Sequence, residues 1–115
     1  MKKFDISIIA PFFNEEKNVN LFFDEILDLL SKSNYINNFE IIAVNDGSHD
    51  DTNKKLIFYE NKYKNIKLFN FKKNMGQSYA INFGIKKSKF IYVVTIDTDC
   101  QNDPKDAIKL LKAYN

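Results

Sequence analysis

Asp97 and Asp99 flank Thr98 at the end of the apolar run 90–96. Side chains alternate along an extended strand, so both acids are expected to point to the same side. Two carboxylates so placed suit a hard divalent cation. Mg²⁺ or Mn²⁺ takes a few carboxylates and fills its remaining positions with water and phosphate oxygens. The Asp-x-Asp tripeptide arises often by chance, and its value as a signal comes from its position after a core strand.

Three other polar segments carry candidate chemistry. Pro11, Phe12, Phe13, Asn14 and Glu15 can offer backbone groups, an aromatic face and a carboxylate to a flat base, or can serve as an ordinary helix entry. In the run from Asn45 to Thr52, Gly47 permits a tight turn and Asp46, directly after an apolar strand, can accept from a base imide or a ribose hydroxyl. A structural turn acid would look similar there, while Asp50 and Asp51 suit helix capping. Lys72, Lys73 and Gly76 stand at an expected helix start, where an anion is favoured. That segment has neither Gly-x-Gly-x-x-Gly nor the P-loop pattern, which argues against dehydrogenase and Walker-type nucleotide binding. His49, the only histidine, has no nearby nucleophile or orienting partner and reads as a solvent-facing turn residue.

These segments need elements to position them. Residues 6–10, 40–44, 66–71 and 90–96 are rich in β-branched and aromatic residues, the composition of strands buried on both faces. Val19, Phe22, Phe23, Ile26, Leu27 and Leu30 recur at helical spacing, predicting a helix over 15–32 capped by Asn14. A second helix is expected after a Ser48/Asp51 capping box, with Leu56, Tyr59 and Tyr63 inward, and a third over 74–87. Pro104 is expected to open a fourth, carrying Ala107, Ile108 and Leu111. The order βαβαβαβα implies a mostly parallel α/β sheet, which binds ligands at strand carboxyl ends near a switch in strand order. All four polar segments fall on that rim.

The chain has 115 residues, 44% hydrophobic and 15% aromatic, enough for one domain with a modest core. No apolar run approaches the ~20 residues of a membrane span, and the start does not resemble a secretion signal. With one cysteine, Cys100, a reducing cytoplasmic setting is expected. Net charge is only +2, but residues 1–52 carry four lysines against ten acids and residues 53–96 carry ten lysines against one. The basic stretch is either a solvated face or an attraction for polyphosphate, nucleic acid or an anionic membrane. All 17 basic residues are lysine, so bidentate arginine reading of guanine is absent and a nucleic-acid partner is not expected.

Four segments occur in family order and spacing: Ile9-Ala10-Pro11-Phe12-Phe13-Asn14-Glu15, Val44-Asn45-Asp46-Gly47-Ser48, Asn74-Met75-Gly76-Gln77, and Asp97-Thr98-Asp99-Cys100-Gln101-Asn102-Asp103-Pro104. On these the chain resembles family 2 glycosyltransferases, most of all the branch with dolichyl-phosphate mannose synthase and the bacterial polyprenyl-phosphate glycosyltransferases. The resemblance implies a Rossmann-like GT-A fold and an inverting hexosyl transfer from a UDP- or GDP-sugar to a polyprenyl phosphate or glycan hydroxyl. It places Pro11, Phe13 and Glu15 at the base, Asp46 at base or ribose, and Gly76 and Gln77 within the nucleotide-sugar site. Asp97 and Asp99 meet nucleotide and Mg²⁺ or Mn²⁺, with Asp99 the first choice for metal.

The family often has aspartate where this chain has Asn45 and leucine where it has Cys100, which is expected to pack rather than react. Residues 1–115 are expected to form a single N-terminal donor-binding domain, an incomplete GT-A fold with the acceptor base and much of the acceptor site beyond Asn115. Membrane association would then come from regions outside this chain. An uncovered sheet edge would favour self-association. The rival readings are a truncated, non-catalytic nucleotide-sugar-binding or interaction module and a signalling receiver, whose acid pair should follow the first strand.

Overall fold

Ile6, Ile8, Ile9, Ile41, Ile42 and Val44 are buried, and such β-branched side chains pack well on a pleated surface. They form the two central strands of a computed structural model that describes residues 3–100. Its elements are β1 (Phe4–Phe12), α1 (Val19–Lys32), β2 (Ile36–Asn45), α2 (Thr52–Lys62), β3 (Ile66–Asn70), α3 (Gln77–Lys87) and β4 (Tyr92–Thr95). The sheet has the order β3-β2-β1-β4, and every pairing is parallel. The expected alternation and α/β class are therefore present. The helix expected from Pro104, with Ala107, Ile108 and Leu111, lies outside the described residues.

Alternation divides the core. Ile6, Ile8, Ala10, Phe12, Ile41 and Ala43 face α1 and α2, meeting Phe22, Phe23, Ile26, Leu56 and Tyr59. Phe12 stacks at 6.0 Å on Phe23, which stacks at 4.4 Å on Tyr59. Ile9, Ile42 and Val44 face Ala80 of α3 on the other side. There α3 comes close to β1 because Gly84 has no side chain; a Cβ at this position would lie 2.5 Å from Ile9 Cγ2.

Several expected details differ. Only β1 and β2 are buried through most of their length; β3 and β4, at the two sides of the described sheet, are half-buried. Helix α1 starts at Val19 rather than 15, because Asn14 adopts a left-handed φ of 52° and Asn18 takes the N-cap position. The Ser48/Asp51 capping box does not form. Ser48 Oγ instead accepts the Asn14 amide at 2.9 Å, and Asp50 Oδ1 accepts the Thr52 amide at 2.9 Å. Helix α3 starts at Gln77, not 74, since Gly76 has φ 97° and ψ 154°, outside the helical region.

One buried charge anchors the α3 side of the sheet. Glu40 on β2 is 1% exposed. Its Oε2 accepts the Ser7 hydroxyl at 2.6 Å and the Lys89 amide at 2.7 Å, and Lys67 Nζ lies 3.2 Å from Oε1. Burial pushes this carboxyl up, but the hydrogen bonds from Lys89, Ser7 and Lys67, with the Lys67 charge, outweigh it and hold the pKa below the ordinary range. The group ties together β1, β2, β3 and the segment entering β4.

Candidate functional site

The carboxyl ends of β1 and β4 meet where the strand order reverses, the position at which parallel α/β sheets bind ligands. An open cleft of about 350 Å³ lies there, lined by Pro11, Phe13, Glu15, Asp46, Gly76, Gln77, Asp97 and Asp99, together with Phe12, Asn74 and Thr98. All eight residues expected from the sequence thus face one space, although they come from four separate segments.

The β1 wall ends in Pro11. Its carbonyl accepts the Thr98 hydroxyl at 2.5 Å, on the flank where β4 has already ended at Thr95. A residue without an amide hydrogen costs no ladder bond at that point. Phe13 is 41% exposed, leaving ring surface for a flat ligand, and His49 meets it edge-on at 6.4 Å. His49 is exposed on its turn, as expected.

The β4 wall carries the acids. Ile96 and Thr98 are buried while Asp97 and Asp99 are exposed, so the alternation holds past the last strand residue and directs both carboxylates to the cleft. Gln77 Nε2 donates to Asp97 Oδ1 at 3.3 Å, linking this wall to the start of α3. Among the described residues no cluster of three or more His, Cys, Asp or Glu is assembled for a metal. Two exposed carboxylates on an open cleft do fit a hard cation that completes its coordination with water and ligand phosphate oxygens. Cys100 is half-buried against the α1 side of the core. Burial, with the charges of Glu25, Asp99 and Glu15, pushes its thiol pKa up, which suits packing rather than nucleophilic chemistry.

The floor is Asp46, which is 3% exposed. Its Oδ1 accepts the Met75 amide at 2.7 Å, and its Oδ2 accepts the Gly76 amide at 3.1 Å and Asn74 Nδ2 at 2.9 Å. The sequence leads to the expectation that Asp46 is a ligand for base or ribose rather than a turn acid. Here it organises the loop 74–76 while also lining the cleft. Asp46 thereby fixes the loop ahead of α3, which begins at Gln77 after the non-helical Gly76. Gly47 makes the approach possible: its φ is +71°, and a Cβ there would lie 2.4 Å from Asn74 N and from Lys73 C.

On its other side the segment 45–52 is joined to the β1 loop. Asn14 Oδ1 accepts the His49 amide at 2.8 Å, Thr52 Oγ1 accepts the Glu15 amide at 2.8 Å, and Asp50 Oδ2 accepts the Glu16 amide at 3.3 Å. The second loop is therefore a hub between the first and third. Phe12, Asn74 and Thr98 line the cleft beyond the eight residues expected. Strand alternation would have turned Thr98 inward between two outward acids, but nothing local to Asn74 signals its bond to Asp46. Lys72 and Lys73, expected near an anion, do not line this cleft.

Comparison with known proteins gives a consistent picture. Residues 7–115 match Glycosyl transferase family 2. An uncharacterized glycosyltransferase of Synechocystis sp. is 37% identical over 88% of this chain and 31% of its own length. The Homo sapiens dolichyl-phosphate beta-glucosyltransferase is 33% identical over 96% of this chain and 36% of its own. This chain thus spans about a third of the length of these relatives.

Among solved structures, the Pyrobaculum calidifontis mannosyltransferase PcManGT, in complex with GDP-Man and Mn²⁺, superposes with a TM-score of 0.80 at 18% identity, covering 100% of this chain and 34% of that one. That similarity establishes the Rossmann-like GT-A architecture. S. aureus TarS in complex with UDP-GlcNAc gives a TM-score of 0.68 at 28% identity, covering 98% and 32%.

Proposed function

Since this chain belongs to glycosyl transferase family 2, we propose that residues 1–115 form the nucleotide-sugar-binding part of an inverting glycosyltransferase. The observation that carries the reading is the convergence of eight residues from four strand-end segments on one cleft. Pro11, Phe13 and Glu15 receive the base, with the exposed Phe13 ring against its face. Asp46 acts from the floor, presenting Gly76 and the start of α3 to the donor and accepting from base or ribose at the cleft surface. Gly76 and Gln77 lie beside the diphosphate.

Asp97 and Asp99 would hold Mg²⁺ or Mn²⁺, with Asp99 the principal ligand. When bound, such an ion offsets the charge that builds on the departing nucleoside diphosphate. In the transfer, an acceptor oxygen forms a bond to the anomeric carbon on the face opposite the bond to the diphosphate oxygen, which breaks. An acceptor phosphate is already anionic and needs little deprotonation, whereas a sugar hydroxyl needs a base. No described residue is assigned that role, His49 being an exposed turn residue beside Phe13.

The UDP-GlcNAc complex of TarS supports a nucleotide-sugar donor, and the name of the human relative supports a polyprenyl phosphate as acceptor. A cytoplasmic setting belongs to the same proposal and agrees with a free thiol at Cys100. The test is calorimetric titration of UDP-glucose and GDP-mannose with and without Mn²⁺. Wild-type protein is expected to bind one of them more tightly with metal, and Asp99→Asn to lose that enhancement. Unchanged affinity and metal dependence in Asp99→Asn would overturn the metal assignment. Failure of the folded wild-type protein to bind either nucleotide-sugar would overturn the donor site.

A further inference from the structure

We propose that the β3–α3 edge is a docking surface for an anionic lipid bilayer. Four aromatic rings run along this edge, Phe69, Phe71 and Phe83 half-buried against the Ile9, Ile42 and Val44 side of the core and Tyr79 exposed: Phe69 meets Phe83 at 5.3 Å, Phe83 meets Phe71 at 5.1 Å, and Phe71 meets Tyr79 at 5.5 Å. At one end Lys87 Nζ lies 5.4 Å from the Phe83 ring and 5.8 Å from the Phe69 ring. At the other end Lys72, Lys73 and Met75 border a shallow groove of about 520 Å³ shared with Phe71, Tyr79 and Phe83. Tyr79 is 52% exposed and Met75 41%.

Charge identifies the partner. Lys72, Lys73 and Lys87 border the strip, and no aspartate or glutamate occurs between Glu60 and Asp97, so the strip carries three cations with no acid of its own segment beside them; Lys67, elsewhere in that segment, is paired with Glu40. A solvated lysine face accounts for the ammonium groups but not for the exposed Tyr79 and Met75 among them. Lysines beside exposed aromatic and apolar side chains match the chemistry of a membrane interface, where the apolar bodies enter the headgroup layer and the ammonium groups meet lipid phosphates. Single-stranded nucleic acid fits less well. Stacking needs open ring faces, whereas these rings pack edge to face at interplanar angles of 73–87°, and the chain has no arginine.

This surface is separate from the donor cleft. The connecting segment turns Asn74, Gly76 and Gln77 into the cleft and Lys72, Lys73 and Met75 into the groove, with no lining residue in common. Bilayer binding therefore neither requires the donor reading nor fails with it.

The experiment is vesicle flotation of the whole chain with phosphatidylcholine alone and with phosphatidylcholine containing phosphatidylglycerol. Binding is expected only to the anionic vesicles and is expected to weaken with salt. A lysine at such a surface contributes roughly fivefold in affinity, so Lys72→Glu/Lys73→Glu should weaken binding by at least about 25-fold. The double variant Lys32→Glu/Lys54→Glu, with the same charge change at exposed positions on α1 and α2, should lose much less. Tyr79→Ser should also weaken binding while leaving the circular dichroism spectrum unchanged. Equal binding to neutral and anionic vesicles, equal loss in the two double variants, or binding of a single-stranded oligonucleotide without vesicle binding would each overturn the proposal. Nucleotide-sugar titration of the same samples reads the cleft independently.

Discussion

Replacing Gly47 tests whether the second and third loops are held together by backbone contact. Two separate costs apply to Gly47→Ala. The left-handed φ of +71° is unfavourable for alanine by about 1–2 kcal/mol. In addition, a Cβ 2.4 Å from Asn74 N and Lys73 C must displace main chain rather than a flexible side-chain tip, and overpacking of this kind costs about 1–3 kcal/mol. Together these reach about 2–5 kcal/mol, a large share of the ~5–15 kcal/mol that holds a small domain folded.

Gly47→Asn separates the two terms, because asparagine tolerates the left-handed region but still carries a Cβ. Urea denaturation followed by circular dichroism should therefore show Gly47→Asn losing stability by at least about 1 kcal/mol, the steric part alone. Nucleotide-sugar affinity should fall in both variants as Asp46 loses its grip on Met75 and Gly76. A Gly47→Asn protein within about 0.5 kcal/mol of wild type, the range of an ordinary surface substitution, would refute the close-approach argument and leave only a φ requirement.

Two further outcomes are expected. Gly84→Ala should destabilise the protein by about 1–3 kcal/mol through overpacking against Ile9, and Gly84→Ala/Ile9→Ala should lose less than the sum of the single changes in the same urea assay, since the clashing atom is gone. Glu40 has a depressed folded-state pKa, so its contribution to stability is fully present above the unfolded carboxyl pKa of about 4.3 and is lost as pH falls through the folded value; urea titrations across that acidic range should show a smaller pH-linked loss in Glu40→Gln than in wild type, and an identical slope would reject the linkage.

Much of the fold and site is legible locally. The β-branched runs identify the strands and the spacing of Val19, Phe22, Phe23, Ile26 and Leu30 identifies α1, because both patterns repeat over a few residues. The position of Asp97 and Asp99 after an apolar strand, with alternation through Thr98, directs the acids to the cleft. Local signals mislead where a distant group competes for the same backbone. Asn14 reads as an N-cap but is held at positive φ by partners 34 and 35 residues away. Asn74 reads as a helix start, but Gly76 stands at φ 97° and delays α3 to Gln77, while Asp46, 28 residues before Asn74, holds the Asn74 side chain and the next two amides in the loop. Glu40 reads as an unremarkable strand residue, because its partners Ser7, Lys67 and Lys89 lie on other segments.

The sequence alone determined the alternation of strands and helices through β4 and the parallel α/β class, since periodicity carries that information within each segment, while the resemblance of four motifs to a known family supplied the eight residues that share a cleft. Tertiary structure decided how those residues are held: Asp46 as the fastening of the third loop, Gly47 as the point where two backbones touch, and an aromatic–lysine strip assembled from β3 and α3. Each of these arises from contacts between segments, whose strength depends on distances of a few ångströms that no local pattern encodes.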